Sequence, residues 1–142
     1  MALKLDISKA YDRVEWHFLQ RVMEKLGFSV DWIERVMSCV TTPSFSILIN
    51  GKPYGMIHPS TGIRQGDPLS PYLFLLCAEG FTVLLKKIES GGQIKGVSIC
   101  RGALKVMNLM FTDDSLLFFQ ATRDEGETIA KILQTYERAF GN

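Results

Sequence analysis

The sequence predicts an α+β fold in which an antiparallel sheet has helices packed on one face. Short segments in which apolar and polar residues alternate, as in half-buried strands, are bounded by turn signals. Longer segments repeat apolar residues every three or four positions, as amphipathic helices do, and they are interspersed among the strands. The chain has 142 residues, of which 46% are hydrophobic and 22% charged. One globular domain spanning residues 1–142 is therefore expected, and wholesale disorder is excluded.

The first predicted strand and helix lie close to the N-terminus. Apolar and polar residues alternate over residues 2–7, which predicts a short strand. Asp12 and Glu15 have the spacing of a capping box, which indicates the start of a helix. Gly27 is typical of the residue that follows the end of a helix, so this helix is expected to end just before it.

Turn residues and apolar periodicity place the remaining elements. Asn50-Gly51 is a strong signal for a two-residue hairpin, and Ser70 with Pro71 is a typical helix start. The other strands are predicted at residues 44–50, 53–58, 97–100, 104–110 and 115–119, and the other helices at residues 30–40, 70–89 and 124–140. The helix over residues 70–89 is apolar almost all round, which predicts burial on most of its sides.

Charge and cysteine content narrow the class of protein. The formal net charge of +1 excludes a basic tail or a histone-like binder, so any nucleic-acid site must come from local charge placement. The three cysteines, Cys39, Cys77 and Cys100, have neither disulfide nor zinc-site spacing and are expected to be core residues in a reducing compartment. No apolar run is long enough to span a membrane and no signal peptide is recognisable, so an intracellular location is expected.

Three carboxylates stand out because of the apolar segments around them. Asp6 ends the first predicted strand, and Asp113-Asp114 lies at the tip of a hairpin whose arms are apolar. Carboxylates gathered at such a sheet edge would repel one another, and a hard cation such as Mg²⁺ or Mn²⁺ would keep them ionised together. The alternative is that Asp113 and Asp114 are ordinary turn residues. Spacing alone cannot show whether Asp6 meets Asp113.

Two further features are typical of a ligand site, although each has a simpler explanation. The loop at residues 60–69 contains Gly66, which allows close backbone approach, and Arg64 and Gln65, which offer several hydrogen-bond donors. It could equally be an ordinary turn before a helix. Tyr11, five residues after Asp6, could simply be an aromatic residue that packs at the start of the first helix.

Three segments in this order resemble the catalytic motifs of reverse transcriptases. LDISKAYD at residues 5–12 is similar to the first motif, GIRQGDPLSP at residues 62–71 to the second, and FTDD at residues 111–114 to the third. ILING at residues 47–51 also fits the family. The resemblance extends from about residue 2 to residue 140. It is strongest to the palm region of the reverse transcriptases of non-LTR (LINE-type) retrotransposons, particularly those of plants.

The resemblance implies an RNA-directed DNA polymerase that extends a DNA primer on an RNA template with deoxynucleoside triphosphates. Two Mg²⁺ ions, or Mn²⁺, would support nucleotidyl transfer to the primer 3′-hydroxyl. The implied metal ligands are Asp6, Asp113, Asp114 and the carbonyl of Ile7. The implied nucleotide-binding residues are Lys9, Ala10, Gln65, Gly66 and Tyr11, the last as a steric gate against the ribose 2′-hydroxyl. The implied template or primer contacts are Arg64, Phe111 and Thr112, and Thr112 stands where this group usually has alanine.

The sequence also departs from the family pattern. Few residues precede Asp6, and no fingers region, lysine-bearing motif, thumb or endonuclease is recognisable, so a palm-like core cut from a longer polyprotein is expected. Such a core should self-associate through its exposed cut edges. A nuclear location would follow by analogy alone. The alternatives are a catalytically inactive relic with at most weak nucleic-acid or protein binding, and another two-metal enzyme such as a nucleotide cyclase or nuclease. The second motif and Tyr11 argue against a cyclase or nuclease.

Overall fold

A computed structural model describes residues 1–6, 9–98, 100, 105–111 and 114–141, with Asp6 and Phe111 described by their backbone alone. Helices and antiparallel strands are mixed within these ranges, as the sequence predicts. The elements in chain order are β1 (Ala2–Asp6), α1 (Trp16–Lys25), α2 (Val30–Thr41), β2 (Phe45–Ile49), β3 (Lys52–Ile57), α3 (Ser70–Ser90), β4 (Val97–Ser98), β5 (Lys105–Val106), β6 (Asn108–Phe111), β7 (Asp114–Phe118) and α4 (Arg123–Phe140). None of the helices in the described part of the chain is long and apolar enough to cross a bilayer.

The central sheet has three antiparallel strands in the order β1-β7-β6. Its two outer strands, β1 and β6, lie far apart in the sequence, and both pair with β7. The other strands do not extend this sheet within the described ranges, because β2 pairs with β3 and β4 with β5 in two separate sheets. The strands are antiparallel, as expected, but within the described ranges they form three separate sheets, because the short hairpins make their own pairings.

One face of the central sheet is buried against helices. Leu117 of β7 is buried, together with Phe81 and Leu85 of α3 and Ile129 and Ile132 of α4. The opposite face is open, and Leu109 and Leu116 are exposed there. Because successive residues of a strand point to opposite faces, the residues next to Leu117 along β7 lie on the open face.

A second core cluster lies between α1, α2 and α3. It contains Leu19 and Met23 of α1, Ile33 and Val36 of α2, and Phe74 of α3. These residues repeat every three or four positions on their helices, so the apolar periodicity predicted this core correctly. On the third helix the prediction was wrong in part, because several apolar side chains of α3 are exposed: Tyr72, Leu75 and Val83.

The start of α1 differs from the predicted capping box. Glu15 is the N-cap residue, and no side chain caps the helix there. The backbone N–H of Glu15 instead donates a 2.8 Å hydrogen bond to the carbonyl of Phe140 at the end of α4. A contact with a distant part of the chain therefore supplies the hydrogen-bond acceptor that a capping box would have supplied to the N–H of Glu15. Gly27, with φ +85°, follows the end of α1 as predicted.

The hairpin of β2 and β3 is almost entirely exposed to solvent. Asn50 and Gly51 form its turn, both with positive φ, as the sequence predicts. Several large apolar side chains of the hairpin are solvent-exposed: Ile47, Leu48, Ile49, Tyr54, Met56 and Ile57. No charged residue interrupts β2, so this edge lacks the charges that commonly protect an exposed strand.

The cysteines are not all core residues. Only Cys77 is buried, whereas Cys39 and Cys100 are exposed, so the prediction is wrong for two of the three. Burial raises the pKa of the Cys77 thiol to about 12. That thiol is therefore protonated at neutral pH and behaves as a small core side chain.

Candidate functional site

Two of the three predicted acidic positions meet at one end of the central sheet. Asp6, the last residue of β1, is the register partner of Asp114, the first residue of β7. Phe111, at the end of β6, is the register partner of Asp114 on its other side. Asp113, Thr112 and Ile7 lie outside the described residues. The backbone of the sheet thus brings together two acidic positions that are far apart in the sequence.

A lysine absent from the predicted set contacts this end of the sheet. Lys4 Nζ lies 3.0 Å from Asp114 Oδ2, and the two side chains are 62% and 41% exposed. Lys4 is the register partner of Leu116, so its contact with Asp114 is a diagonal cross-strand pair on one face of the sheet. The alternating pattern of β1, which separates Lys4 from Asp6 by one apolar residue, was the signal available in the sequence.

The carboxylate of Asp114 is open to solvent and already has a positive charge beside it. Among the residues whose side chains are described, no group of three or more His, Cys, Asp or Glu side chains could hold a metal ion. Asp114 is the single predicted metal ligand whose side chain falls in that set. Carboxylate oxygens at adjacent strand positions are nevertheless a donor set suited to a hard divalent cation.

The first and second predicted motifs are hydrogen-bonded to each other. The N–H of Ile63 donates to the carbonyl of Tyr11 and the N–H of Gly62 to the carbonyl of Val14, each at 2.8 Å. The indole N–H of Trp16 donates to the carbonyl of Gly62 at 2.7 Å. Three hydrogen bonds therefore hold the loop at residues 60–69 against the segment that follows β1.

Tyr11 is held by an aromatic contact. Its ring stacks on Phe74 of α3, with 5.2 Å between centroids and an interplanar angle of 18°. Phe74 is buried, whereas Tyr11 is only partly buried. Ala10 is buried beside it, and Lys9 is exposed with φ +54° in the turn that leads from β1 to α1. The packing explanation of Tyr11 is thus correct for one face of the ring, and part of the side chain stays accessible.

The polar residues of the second motif border a cavity of about 390 Å³ between the loop at residues 60–69 and the α2–β2 corner. Arg64 and Gln65 both line it, as does Phe45 at the start of β2. The Arg64 guanidinium lies 5.6 Å from the centre of the Phe45 ring, a cation–π contact that orients it. Gly66 has φ +85° and no neighbouring atom where a Cβ would lie. Tyr11 is not among the lining residues of this cavity, although its neighbour Asp12 is.

Comparison with known proteins identifies similar sequences. A family model described as reverse transcriptase (RNA-dependent DNA polymerase) matches residues 1–141. The chain is 30% identical to a Pol polyprotein of the R2 element of Popillia japonica over 90% of this chain, and 27% identical to a 149 kDa protein of transposon TX1 of Xenopus laevis over 83%. It is 43% identical over 48% of its length to an uncharacterized mitochondrial protein of Arabidopsis thaliana. The matches cover 20%, 9% and 56% of these relatives, respectively.

Proposed function

The chain belongs to the reverse transcriptase family, among the enzymes of non-LTR retrotransposons, and on that premise we propose that it carries the nucleotidyl-transfer centre of an RNA-directed DNA polymerase. The observation that supports this most directly is the pairing of Asp6 with Asp114 across β1 and β7. It joins the first and third motifs at one end of the sheet. The hydrogen bonds of Gly62 and Ile63 add the second motif.

Members of this family generally use divalent metal ions, and we propose a magnesium site, also able to take Mn²⁺, at the acidic end of the sheet. Asp6 and Asp113 would hold the ions, with the carbonyl of Ile7 facing them and Asp114 beside them. Bound there, the ions would activate the primer 3′-hydroxyl and offset the charge on the triphosphate. Lys4 would keep Asp114 in place through the 3.0 Å ion pair and limit the repulsion between neighbouring carboxylates.

The remaining predicted residues would position the substrates. Tyr11, braced by Phe74, would exclude the 2′-hydroxyl of a ribonucleotide, because an aromatic ring fixed by stacking cannot move aside freely. The proposed nucleotide-binding residues, which surround Tyr11 or belong to the second motif, are Lys9, Ala10, Gln65 and Gly66. The proposed template or primer contacts are Arg64, Phe111 and Thr112. The substrates would be an RNA template, a DNA primer and deoxynucleoside triphosphates.

We further propose that residues 1–142 form a palm-like region of a longer polyprotein. The chain spans only a fifth of the R2 relative from Popillia japonica, so segments outside it would supply the rest of the grip on nucleic acid. The near-neutral net charge of +1 supports a shared grip on nucleic acid, because phosphate contacts need basic residues and this chain has almost no excess of them over acidic residues.

Primer extension tests the proposed activity. The parent chain is expected to extend a DNA primer on an RNA template with Mg²⁺ or Mn²⁺, using deoxynucleotides in preference to ribonucleotides. Asp113→Asn should reduce extension at least about a hundredfold, because losing a metal ligand removes several kcal/mol of transition-state stabilisation. Asp124→Asn makes the same change on the exposed start of α4 and should leave extension unchanged. Absence of extension by the parent would favour the alternative of an inactive fragment.

We also propose that the chain self-associates through the β2–β3 hairpin, which exposes apolar side chains and an uncharged strand edge. Size-exclusion chromatography with light scattering should show oligomers that grow with concentration. Leu48→Lys should shift the protein to monomer. Val30→Lys is a matched control, because Val30 of α2 is also 69% exposed, as Leu48 is. A parent chain that is monomeric at every concentration would contradict the proposal.

A further inference from the structure

A groove of about 350 Å³ lies between the helices α1 and α3. Its lining residues come from these two helices and from Leu26, the residue that follows α1. None of them belongs to the three motifs of the candidate site, and none lies in the central sheet. This α1–α3 groove is therefore a surface separate from the site described above.

The floor of the α1–α3 groove is apolar. Phe18, Val22 and Leu26 recur every four residues and so form one continuous row, about 12 Å long, on the side of α1. Val83 of α3 faces them and is 49% exposed, and Leu26 is 39% exposed. At Gly80 the helices approach closely, because a Cβ there would lie 3.1 Å from Val22 Cγ2. The floor thus leaves apolar side chains in contact with solvent.

Three basic side chains border this floor. Arg21 and Lys25 lie one turn apart on α1, and Lys87 lies on α3. All three are exposed, and within the residues that the structure describes none of them forms a salt bridge. The acidic residues of the two helices all lie outside the lining: Glu24, Glu79 and Glu89. The groove therefore combines an apolar floor with a positive charge that has no compensating acid in the lining.

We propose that the α1–α3 groove binds an acidic amphipathic helix of a partner protein. Such a helix lays apolar residues at positions i, i+4 and i+7 into a hydrophobic groove, and these positions span about 10 Å, close to the length of the row on α1. Acidic residues beside that stripe would meet Arg21, Lys25 and Lys87, so that both the floor and the border of the groove find complementary groups.

The apolar floor favours a protein over a nucleic acid as the occupant. Phosphate groups would pair with the three cations but would leave Val83 and Leu26 without an apolar partner. A second copy of this chain is also a poor match. Two acidic residues lie in the first turn of α4, but Ile129 and Ile132 of its apolar stripe are already buried in the core. The partner is therefore a protein of different sequence, and the proposal does not depend on polymerase activity.

A designed peptide tests the chemistry of the proposed partner. The probe is a fluorescein-labelled, helix-forming peptide of about 15 residues, with leucines at positions i, i+4 and i+7 and glutamates beside them. Fluorescence anisotropy should show saturable binding to the parent chain. One control peptide replaces the leucines by alanine and keeps the glutamates, and another replaces the glutamates by lysine and keeps the leucines. Each should bind at least about tenfold more weakly, because each lacks one of the two complementary features.

Substitutions on α3 locate the binding site. Lys87→Glu should weaken the acidic peptide about fivefold, because an exposed ion pair is replaced by repulsion. Lys86→Glu makes the same change at an exposed neighbour outside the groove and should weaken it less than about twofold. Val83→Asp should weaken it at least about tenfold, whereas Leu75→Asp, at a site that is 59% exposed and outside the groove, should not. Thermal melts establish that each variant is folded.

Four outcomes would overturn the proposal. Absence of saturable binding by the acidic leucine peptide would show that the groove does not take such a helix. Equal affinity of the alanine peptide would show that charge alone attracts it. Equal weakening by Lys86→Glu and Lys87→Glu, or by Leu75→Asp and Val83→Asp, would place the site elsewhere. Displacement of the peptide by a uridine oligonucleotide of about 15 nucleotides, itself weakened by Lys87→Glu, would make the groove a nucleic-acid surface instead.

Discussion

Gly62→Ala is expected to lower the free energy of unfolding by about 2–4 kcal/mol. Gly62 has φ +86°, a backbone conformation that costs an L-residue about 1 kcal/mol. A Cβ at this position would also lie 2.9 Å from the backbone oxygen of Asp12, and that oxygen cannot move as a flexible side chain would. The substitution would force apart the two segments that the Gly62 and Ile63 hydrogen bonds hold together.

Gly66→Ala is the matched control for this prediction. Gly66 lies in the same loop with φ +85°, but no atom lies within 4 Å of the position that its Cβ would occupy. The free energy of unfolding should therefore fall in Gly66→Ala only by the conformational contribution of about 1 kcal/mol. Urea denaturation of the two variants measures the difference. Equal losses would show that the close approach to Asp12 contributes nothing and that backbone strain alone matters.

Divalent metal ions should raise the melting temperature of the parent chain, and Asp113→Asn should abolish the increase. A ligand that binds only the folded state stabilises it by about 2.7 kcal/mol at a hundred times its dissociation constant. For a domain of this size that corresponds to roughly 8–10 °C. Scanning calorimetry with and without Mn²⁺ measures the increase. Asp124→Asn should behave like the parent, and equal increases in the parent and Asp113→Asn would contradict a metal site at the acidic end of the sheet.

Substitutions of Lys4 test the same metal site by their effect on Mn²⁺ affinity. Its ion pair with Asp114 competes with a metal ion for the negative charge at this end of the sheet, so Lys4→Met should raise Mn²⁺ affinity. The effect should stay below about fivefold, because both side chains are partly exposed and such pairs contribute at most about 1 kcal/mol. Lys4→Arg keeps the charge and should retain the affinity of the parent. Electron paramagnetic resonance of free Mn²⁺ gives these affinities directly.

Local patterns in the sequence predicted local structure well. The periodicity of α2 and the Asn50-Gly51 turn each depend on residues a few positions apart, and the structure agrees with both predictions. The predicted capping box at Asp12 and Glu15 was wrong, because the start of this helix depends on a residue far away in the sequence. A residue distant in sequence, Phe140, supplies the acceptor for the N–H of Glu15, and no local pattern contains that information.

The same distinction holds for the candidate site. The sequence indicated Asp6 and Asp114 as candidates, but their pairing depends on the register of β1 with β7, which spacing cannot reveal. The ion pair of Lys4 with Asp114 follows from that register too, because it depends on which face of β1 meets which neighbour. The resemblance to reverse transcriptases thus identifies the candidate residues, whereas the strand pairing of the sheet determines which residues lie next to them.

The order of strands in the central sheet has a consequence for synthesis of the protein. β1 leaves the ribosome before β7, its only partner strand in the described structure, which lies more than a hundred residues later. The hairpin of β6 and β7 closes over a few residues, whereas β1 must be captured across a long loop, which is entropically costly and slow. The acidic end of the sheet should therefore be among the last parts to assemble. A nascent chain that stalls before residue 114 would carry Asp6 on β1 without β7, the strand that pairs with it in the described structure.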